Sequence, residues 1–600
     1  MHTPLNPVWN LDSIFPGGSS SIEFKAFLDE LKTRTEAFRD SLEAADAPNS
    51  VEAADPFRSL LEELQVILKC LRQAESFTGC LAAENQSDRK AVALGSRVQD
   101  INATYQSAMT LFDRYLSEIS EDVFTELTNR EPWSQVQFVL HERRKMAQEK
   151  LSPELETLAG NLAVDGYHAW GELYNTIVGR VRIPFVENGE LKMLSAGQAF
   201  NKLHSSDRVT RVEVFEKWEA AWADQADFCA DALNHLAGFR LRLYKHRGWE
   251  SIHQEPLHIN RMTQETLDVM WGTVEKNKDI FLSYLARKAK LFGVDQLSWH
   301  DVDAPVGEAS GTIHYDEGAE AIVTQFRAFS PKLADFAAHA LENRWIEAED
   351  RPGKRPGGFC TSFPVSGETR IFMTYSGTAT NVSTLAHELG HAFHQDVMSD
   401  MPALAQEYAM NVAETASTLA ETIVSDAAIR QQKEKQAQIA LLDDKLQNAV
   451  AMFLNIHARF IFETSFYKER EQGMVSVERL NELMVAAQMK AYRNTLSEYH
   501  PHFWAAKLHF YATDVPFYNF PYTFGFLFSS GIYQAALREG SCFEDRYIAL
   551  LRDTGSMTVE ELALKHLGVN LQQPEFWQQA IDMSVEDAKL FLELTEDITV

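Results

Sequence analysis

Cysteine is scarce in this chain: five residues among 600, at 70, 80, 229, 360 and 542, odd in number and without a Cys-x-x-Cys pair. That excludes a disulfide framework as the source of stability. Basic residues are outnumbered, 56 Lys and Arg against 86 Asp and Glu, giving a net charge of −30. A surface of that sign repels phosphate backbones and argues against nucleic acid as a partner. No apolar run approaches the length of a membrane span, which argues against a membrane protein. The opening Met1-His2-Thr3-Pro4-Leu5-Asn6-Pro7 lacks a basic region followed by an apolar stretch, so a cytoplasmic location is the expectation. No internal repeat or low-complexity tract stands out, and nothing in the sequence sets an oligomeric state.

What is present suits a large, mainly helical protein. With 45% hydrophobic residues the chain can bury extensive cores and is long enough for two or more domains. From 20 to 180, Gly and Pro are sparse and apolar residues recur at spacings of three and four. This predicts helix after helix, with Phe57 to Gln73 and Ser87 to Leu127 as examples. At Val181 to Lys192 the pattern becomes a β-hairpin with Asn188-Gly189 as its turn. The main boundary is placed here, giving a helical N-terminal domain over 1–180 and a second domain over 181–600. Helical patterning resumes from about Ala196 to Phe292.

Residues 387 to 391 read His-Glu-Leu-Gly-His. Two histidines four apart on a helix lie on one face, close enough to share a metal ion, and Glu388 between them is placed to take a proton from a water activated there. That pattern predicts the core of a zinc-dependent peptide hydrolase. Before it, Thr369 to Tyr375 is β-prone and closes at Ser376-Gly377. Thr380, Asn381 and Ser383 are candidate N-caps for a helix starting near Thr384. Leu385, Ala386, Leu389, Ala392 and Phe393 supply its apolar sides. Two imidazoles and a carboxylate buried there without a cation would cost several kcal/mol.

A hydrolytic zinc site needs a third protein ligand and one open position. The pattern His-Glu-x-x-His-x-x-Gly-x-x-His fails, because position 394 is His and 397 is Val. The alternative is a carboxylate from a second helix, and Ala403 to Asp426 provides one. Glu407, Glu414 and Glu421 recur there at seven-residue intervals. Glu414, flanked by Val412, Ala413, Ala416 and Leu419, is the expected ligand. Glu407 and Glu421 are rivals, one of which could instead orient a ligand histidine through its second ring nitrogen. His394 is expected to be an ordinary hydrogen-bonded histidine. Further on, 500–525 holds three His and three Tyr (511, 518 and 522) among many Phe. The phenylalanines read as core, whereas the His and Tyr side chains carry donors that could steady a developing oxyanion.

The run Gly358-Phe359-Cys360 through Tyr375-Ser376-Gly377-Thr378, then Thr384 to Ala392, resembles the oligoendopeptidase F family of thimet-oligopeptidase-like zinc metallopeptidases. Val412 to Thr418 resembles its third-ligand helix, which favours Glu414. His509-Phe510-Tyr511, with Phe517-Tyr518 and Tyr522, resembles its substrate-binding segment, and Trp9 to Pro16 its N-terminus. Phe526 stands where some relatives have a second tyrosine.

The resemblance implies one Zn²⁺ per chain held by His387, His391 and Glu414, with Glu388 as proton acceptor. It implies that His509 and Tyr522, with Tyr518 assisting, grip the substrate carbonyl. It also implies a multi-helical, two-lobed zincin-type fold with a small β-sheet beside the active-site helix. A deep channel would admit only short, unstructured peptides. An extended peptide is expected to pair with the strand Ile371 to Tyr375, and the Gly-rich loop Arg351 to Gly358 is expected to close over it. Two alternatives differ in class: a zinc exopeptidase such as a metallocarboxypeptidase, and a non-catalytic helical binding protein with a structural zinc.

Overall fold

A computed structural model of the chain describes residues 4–307 and 311–598; the first three residues of the opening segment lie outside it. The fold is mainly helical. Five strands occur among the described residues: β1 (Ile183–Glu187), β2 (Glu190–Leu194), β3 (Ile346–Glu347), β4 (Phe359–Phe363) and β5 (Glu368–Phe372). The chain forms two compact units, each drawn from three stretches of sequence. The first comprises Met1–Pro153, Gly311–Ala427 and Ala535–Gly568; the second comprises Glu154–Ser310, Ala428–Gln534 and Val569–Val600. The sequence boundary placed at 180/181 falls inside the second unit.

In the first unit, three long helices pack together: Ile22–Ala44, Asp55–Glu84 and Arg89–Glu118. The first and third are capped by side chains. Ser21 Oγ accepts from Phe24 N–H at 3.2 Å, and Asp88 Oδ1 accepts from Lys90 and Ala91 N–H. The run expected as one helix from Ser87 to Leu127 is two, because Ile119 turns extended and a new helix, Glu121–Thr128, follows Ser120. One face of each long helix is apolar and buried, as with Phe24, Leu28, Leu31, Phe38 and Leu42 on the first. These side chains share a core with Phe363 and Phe372 from the sheet.

That sheet has the order β3-β5-β4, with β3 parallel and β4 antiparallel to β5. Phe359 pairs with Phe372 and Phe363 with Glu368, the connection turning at Gly367 with φ 68°. The metal-motif helix, Ala379–Val397, packs against β4 and β5.

In the second unit, β1 and β2 form the expected hairpin. Asn188 and Gly189 both adopt positive φ (54° and 81°), as a two-residue turn between right-twisted strands requires. The 40-residue helix Arg208–Arg247 runs from an Asp207 cap to Gly248 in the left-handed conformation. Among the described residues no helix is long and apolar enough to cross a membrane. All five cysteines are free thiols.

Phe77 is fully buried against Phe15 and Phe24, with ring centroids 5.0 and 4.7 Å away. Phe77→Ala should cost about 3–5 kcal/mol of stability, read from the denaturant midpoint. A loss below about 1 kcal/mol would contradict this packing.

Candidate active site

The motif helix starts five residues before the expected position. Thr378 Oγ1 accepts from Asn381 N–H at 3.1 Å, and Asn381 Oδ1 accepts in return from Thr378 N–H at 3.3 Å. Asn381, a candidate cap from the sequence, is therefore the third helical residue. It also accepts from Ser376 N–H and Oγ–H at 2.8 and 2.9 Å. Gly377, with φ 87°, makes the entry turn. A side chain there would meet Thr312 Cγ2 at 2.5 Å.

The second element is not the single helix expected over Ala403 to Asp426. It is a 3₁₀ turn, Ala403–Gln406, an extended passage, a short helix Met410–Ala413, and then Thr415–Gln431, with Glu414 at the joint. This break separates the three glutamates. Glu407 lies outside the helix and pairs with Arg72 at 3.1 Å, apart from the His387, His391 and Glu414 group.

Glu414 Oε2 lies 3.3 Å from His387 Nε2 and 3.4 Å from His391 Nε2, and Ser417 Oγ–H donates to the same oxygen at 3.0 Å. Glu421 Oε2 lies 3.2 Å from His387 Nδ1, the second ring nitrogen of that histidine. Backbone contact brings the two elements together. A Cβ on Gly390 would stand 2.5 Å from Ala416 O and 2.6 Å from Ser417 Cα. Only glycine lets the helices touch at this depth.

His387, His391 and Glu414 offer ligand atoms all within 4.8 Å of one another. Two imidazole nitrogens and a carboxylate oxygen form the donor set of a catalytic zinc site. Their side chains keep 26%, 20% and 32% exposure, so solvent reaches the cluster. The electrostatics fit a cation. Burial disfavours a charged His387, yet the carboxylates of Glu414 and Glu421 outweigh it and lift its pKa to about 10. Burial likewise works to raise Glu414, but the hydrogen-bonding imidazoles hold it well below the usual carboxylate range.

Glu388 is buried, and its Oε2 has no hydrogen-bond partner. Burial pushes its carboxyl above the ordinary range, against the pull of His387 and His391. An orphaned carboxylate oxygen beside a metal-ligand cluster is a group that water or substrate must complete. A Cβ on Gly358 would come within 3.3 Å of Glu388 Oε1 and of Phe372 O, so the start of β4 passes the glutamate.

Two expectations about the surroundings change. The strand expected to bind peptide, Ile371 to Tyr375, is already paired along one side, where Ile371, Met373 and Tyr375 N–H donate to Trp345, Glu347 and Ala348 carbonyls, and β4 pairs with Ile371 and Phe372 on the other. The outer edge belongs to β4. Because Ile371 turns its backbone toward β3, alternation turns Cys360 and Ser362 outward, away from β5. Ser362 O accordingly accepts from Ser76 Oγ at 2.7 Å. The loop Arg351 to Gly358, expected to move, is pinned. Lys354 Nζ donates to Glu349 and Met373 carbonyls at 2.7 and 2.8 Å, and Arg355 N–H donates to Ala83 O at 2.9 Å.

His394 stacks on Tyr408 at 4.2 Å and bonds Thr554 Oγ1 at 2.9 Å. Burial lowers its pKa to about 3, making it a neutral core histidine. His509, Tyr518 and Tyr522 lie in the second unit and cluster there. The His509 ring is 5.0 Å from Tyr518 and 5.9 Å from Tyr522, and the two tyrosines are 5.8 Å apart. Burial, reinforced by Arg459 and Lys507, lowers the pKa of His509 to about 3. A neutral imidazole still has one N–H to give. Tyr511 is core, stacked 3.7 Å from Tyr174.

This assembly is of the metallopeptidase type, and comparison with known proteins agrees. Residues 202–583 match Peptidase family M3, and residues 116–182 match Oligopeptidase F. The chain belongs to peptidase family M3. It is a metalloendopeptidase that acts on peptides. Group B oligopeptidase PepB of Streptococcus agalactiae is 25% identical over 491 residues, covering 79% of this chain and 80% of that protein. A solved structure from Chlamydophila abortus superposes with TM-score 0.83 at 18% identity, covering 99% of both chains. Oligoendopeptidase-F from Enterococcus faecium gives 0.70 at 18% identity, covering 96% of this chain and 98% of that one.

Two substitutions test the construction of the site. Gly390→Ala should force the helices apart, lowering metal affinity by about tenfold or more and stability by about 1–3 kcal/mol. Glu421→Ala should weaken metal binding about 10–100-fold in chelator competition. Affinity within about twofold of wild type for either variant would contradict the assigned contacts.

Proposed function

We propose that the chain is a zinc-dependent oligoendopeptidase of the cytoplasm, hydrolysing internal bonds of short, unstructured peptides. The observation that carries this reading is the orphaned, buried carboxylate of Glu388 set beside the converging His387, His391 and Glu414. A structural zinc site has no use for a proton acceptor there and closes its fourth position.

His387, His391 and Glu414 would hold a zinc ion, which would supply Lewis acidity toward the scissile carbonyl and toward water. The chain's own groups do the rest. Glu388 takes the proton from the attacking water and returns it to the leaving amine nitrogen. Glu421 fixes the His387 ring so that Nε2 faces the metal position. The substrate backbone adds to the outer edge of β4, where Cys360 presents its N–H and C=O. Pairing through main-chain groups accepts many sequences. His509 and Tyr522, assisted by Tyr518, donate hydrogen bonds to the substrate carbonyl as charge develops on it.

Glu388→Gln keeps the shape of the side chain and removes its basicity. The variant should bind one zinc per chain and lose about three or more orders of magnitude in kcat. Near-normal turnover by the metal-loaded variant would overturn the assignment. On peptides blocked at both ends and graded in length, the wild type should cleave internally and favour the shorter members. Cleavage only of peptides with a free terminus would instead favour an exopeptidase.

A further inference from the structure

The segment carrying Tyr518 is not helical, and one residue in it is strained. Phe517 has φ 53°, in the left-handed region that a bulky aromatic residue rarely enters. It is also buried, its ring packed 4.8 Å from His253 and 5.3 Å from Tyr467. Such a conformation persists only where surrounding contacts over-determine it, and it tends to occur at functional sites.

The contact that does so comes from Glu463, on the helix Ile456–Arg470. Glu463 is 3% exposed, and its Oε1 accepts from Phe517 N–H at 3.1 Å. Its carboxyl also faces the side-chain amide of Asn519. Asn519 Oδ1 is held in turn by Arg459 Nη1 at 3.0 Å, and Arg459 Nε is fixed on Asn455 Oδ1 at 2.8 Å. Tyr518 thus sits between two residues clamped to one helix. An acid in this place is costly: burial raises its pKa to about 8, and Arg240 is the nearby cation that moderates the rise. A packing role would be served more cheaply by an apolar side chain.

We propose that Glu463 is a positioning residue. By holding the Phe517 amide it locks the left-handed backbone that sets the Tyr518 ring beside His509 and Tyr522. The proposal rests on the reading that this trio grips the substrate carbonyl.

The test uses the full-length, metal-loaded enzyme and two readouts, amide hydrogen exchange at Phe517 and the split of kcat from KM. In Glu463→Gln the amide oxygen still accepts from Phe517 N–H, so protection stays and kcat remains within about threefold. In Glu463→Met protection is lost and kcat falls about ten- to a hundredfold, with KM and zinc content little changed. Glu463→Asp, one methylene shorter, gives a milder version and stands in if the Met variant does not fold. In a Tyr518→Phe background Glu463→Met costs little more, because both changes remove one function.

Unchanged protection at Phe517 in the Met and Asp variants overturns the clamp. Lost protection with wild-type kcat overturns its catalytic role, as do losses that add in full to those of Tyr518→Phe. A wild-type rate for Tyr518→Phe alone, with protection lost in Glu463→Met, faults the reading of Tyr518 and leaves the clamp standing.

Discussion

The site depends on a backbone contact between two helices. Gly390, inside the metal motif, lies against the Ala416 carbonyl and Ser417 Cα of the neighbouring element with no space for a methyl group. That distance sets everything that follows. Side chains as short as glutamate and histidine converge from two helices only if the helix surfaces meet at this depth. The three ligand atoms then fall within 4.8 Å of one another. The same contact puts Glu421 two turns further along, where its carboxylate reaches the far side of His387. The sheet completes the arrangement. It seats the motif helix on one face, and with Gly358 it brings the start of β4 to the edge of Glu388.

Electrostatics explains why these polar groups tolerate their surroundings. Glu388, Glu414 and Glu421 surround two imidazoles, leaving an excess of negative charge in a partly buried place. Against the lowering effect of burial, Glu414 and Glu421 raise the pKa of His387, which expresses that excess. A divalent ion held by His387, His391 and Glu414 would balance the same charge. The site is thus built around a charge that the protein itself does not supply.

Much of this was legible in the sequence, for reasons that differ between residues. His387, Glu388 and His391 were readable because a helix converts a spacing of four into a shared face. Glu414 was readable because an acid among Ala, Val and Leu requires a partner, and the family resemblance pointed the same way. The Asn188-Gly189 turn was readable because few dipeptides accept two left-handed residues. The helix start was misplaced because Thr378, Thr380, Asn381 and Ser383 all offer capping oxygens, and only tertiary placement of Ser376 and Gly377 selects among them. The break before Met410 was hidden because nothing between 403 and 409 lacks helix propensity; Glu407 leaves the helix for Arg72, which lies far away in sequence. The edge strand was misassigned for a similar reason. β5 is the more buried strand although it carries Glu368 and Arg370, so its composition does not reveal its interior position. Glu463 carries no sequence signal, since its role lies in a hydrogen bond to a backbone amide 54 residues away.

The central claim is that two imidazoles and one carboxylate hold a single divalent metal with a position left open. X-ray absorption at the zinc edge on the purified enzyme tests it most directly. The account predicts one zinc per chain, two nitrogen ligands at about 2.0–2.1 Å and oxygen ligands at about 2.0–2.2 Å, one of them from exchangeable solvent. Sulfur scattering at about 2.3 Å, four protein ligands, or a protein that purifies active without metal would contradict it.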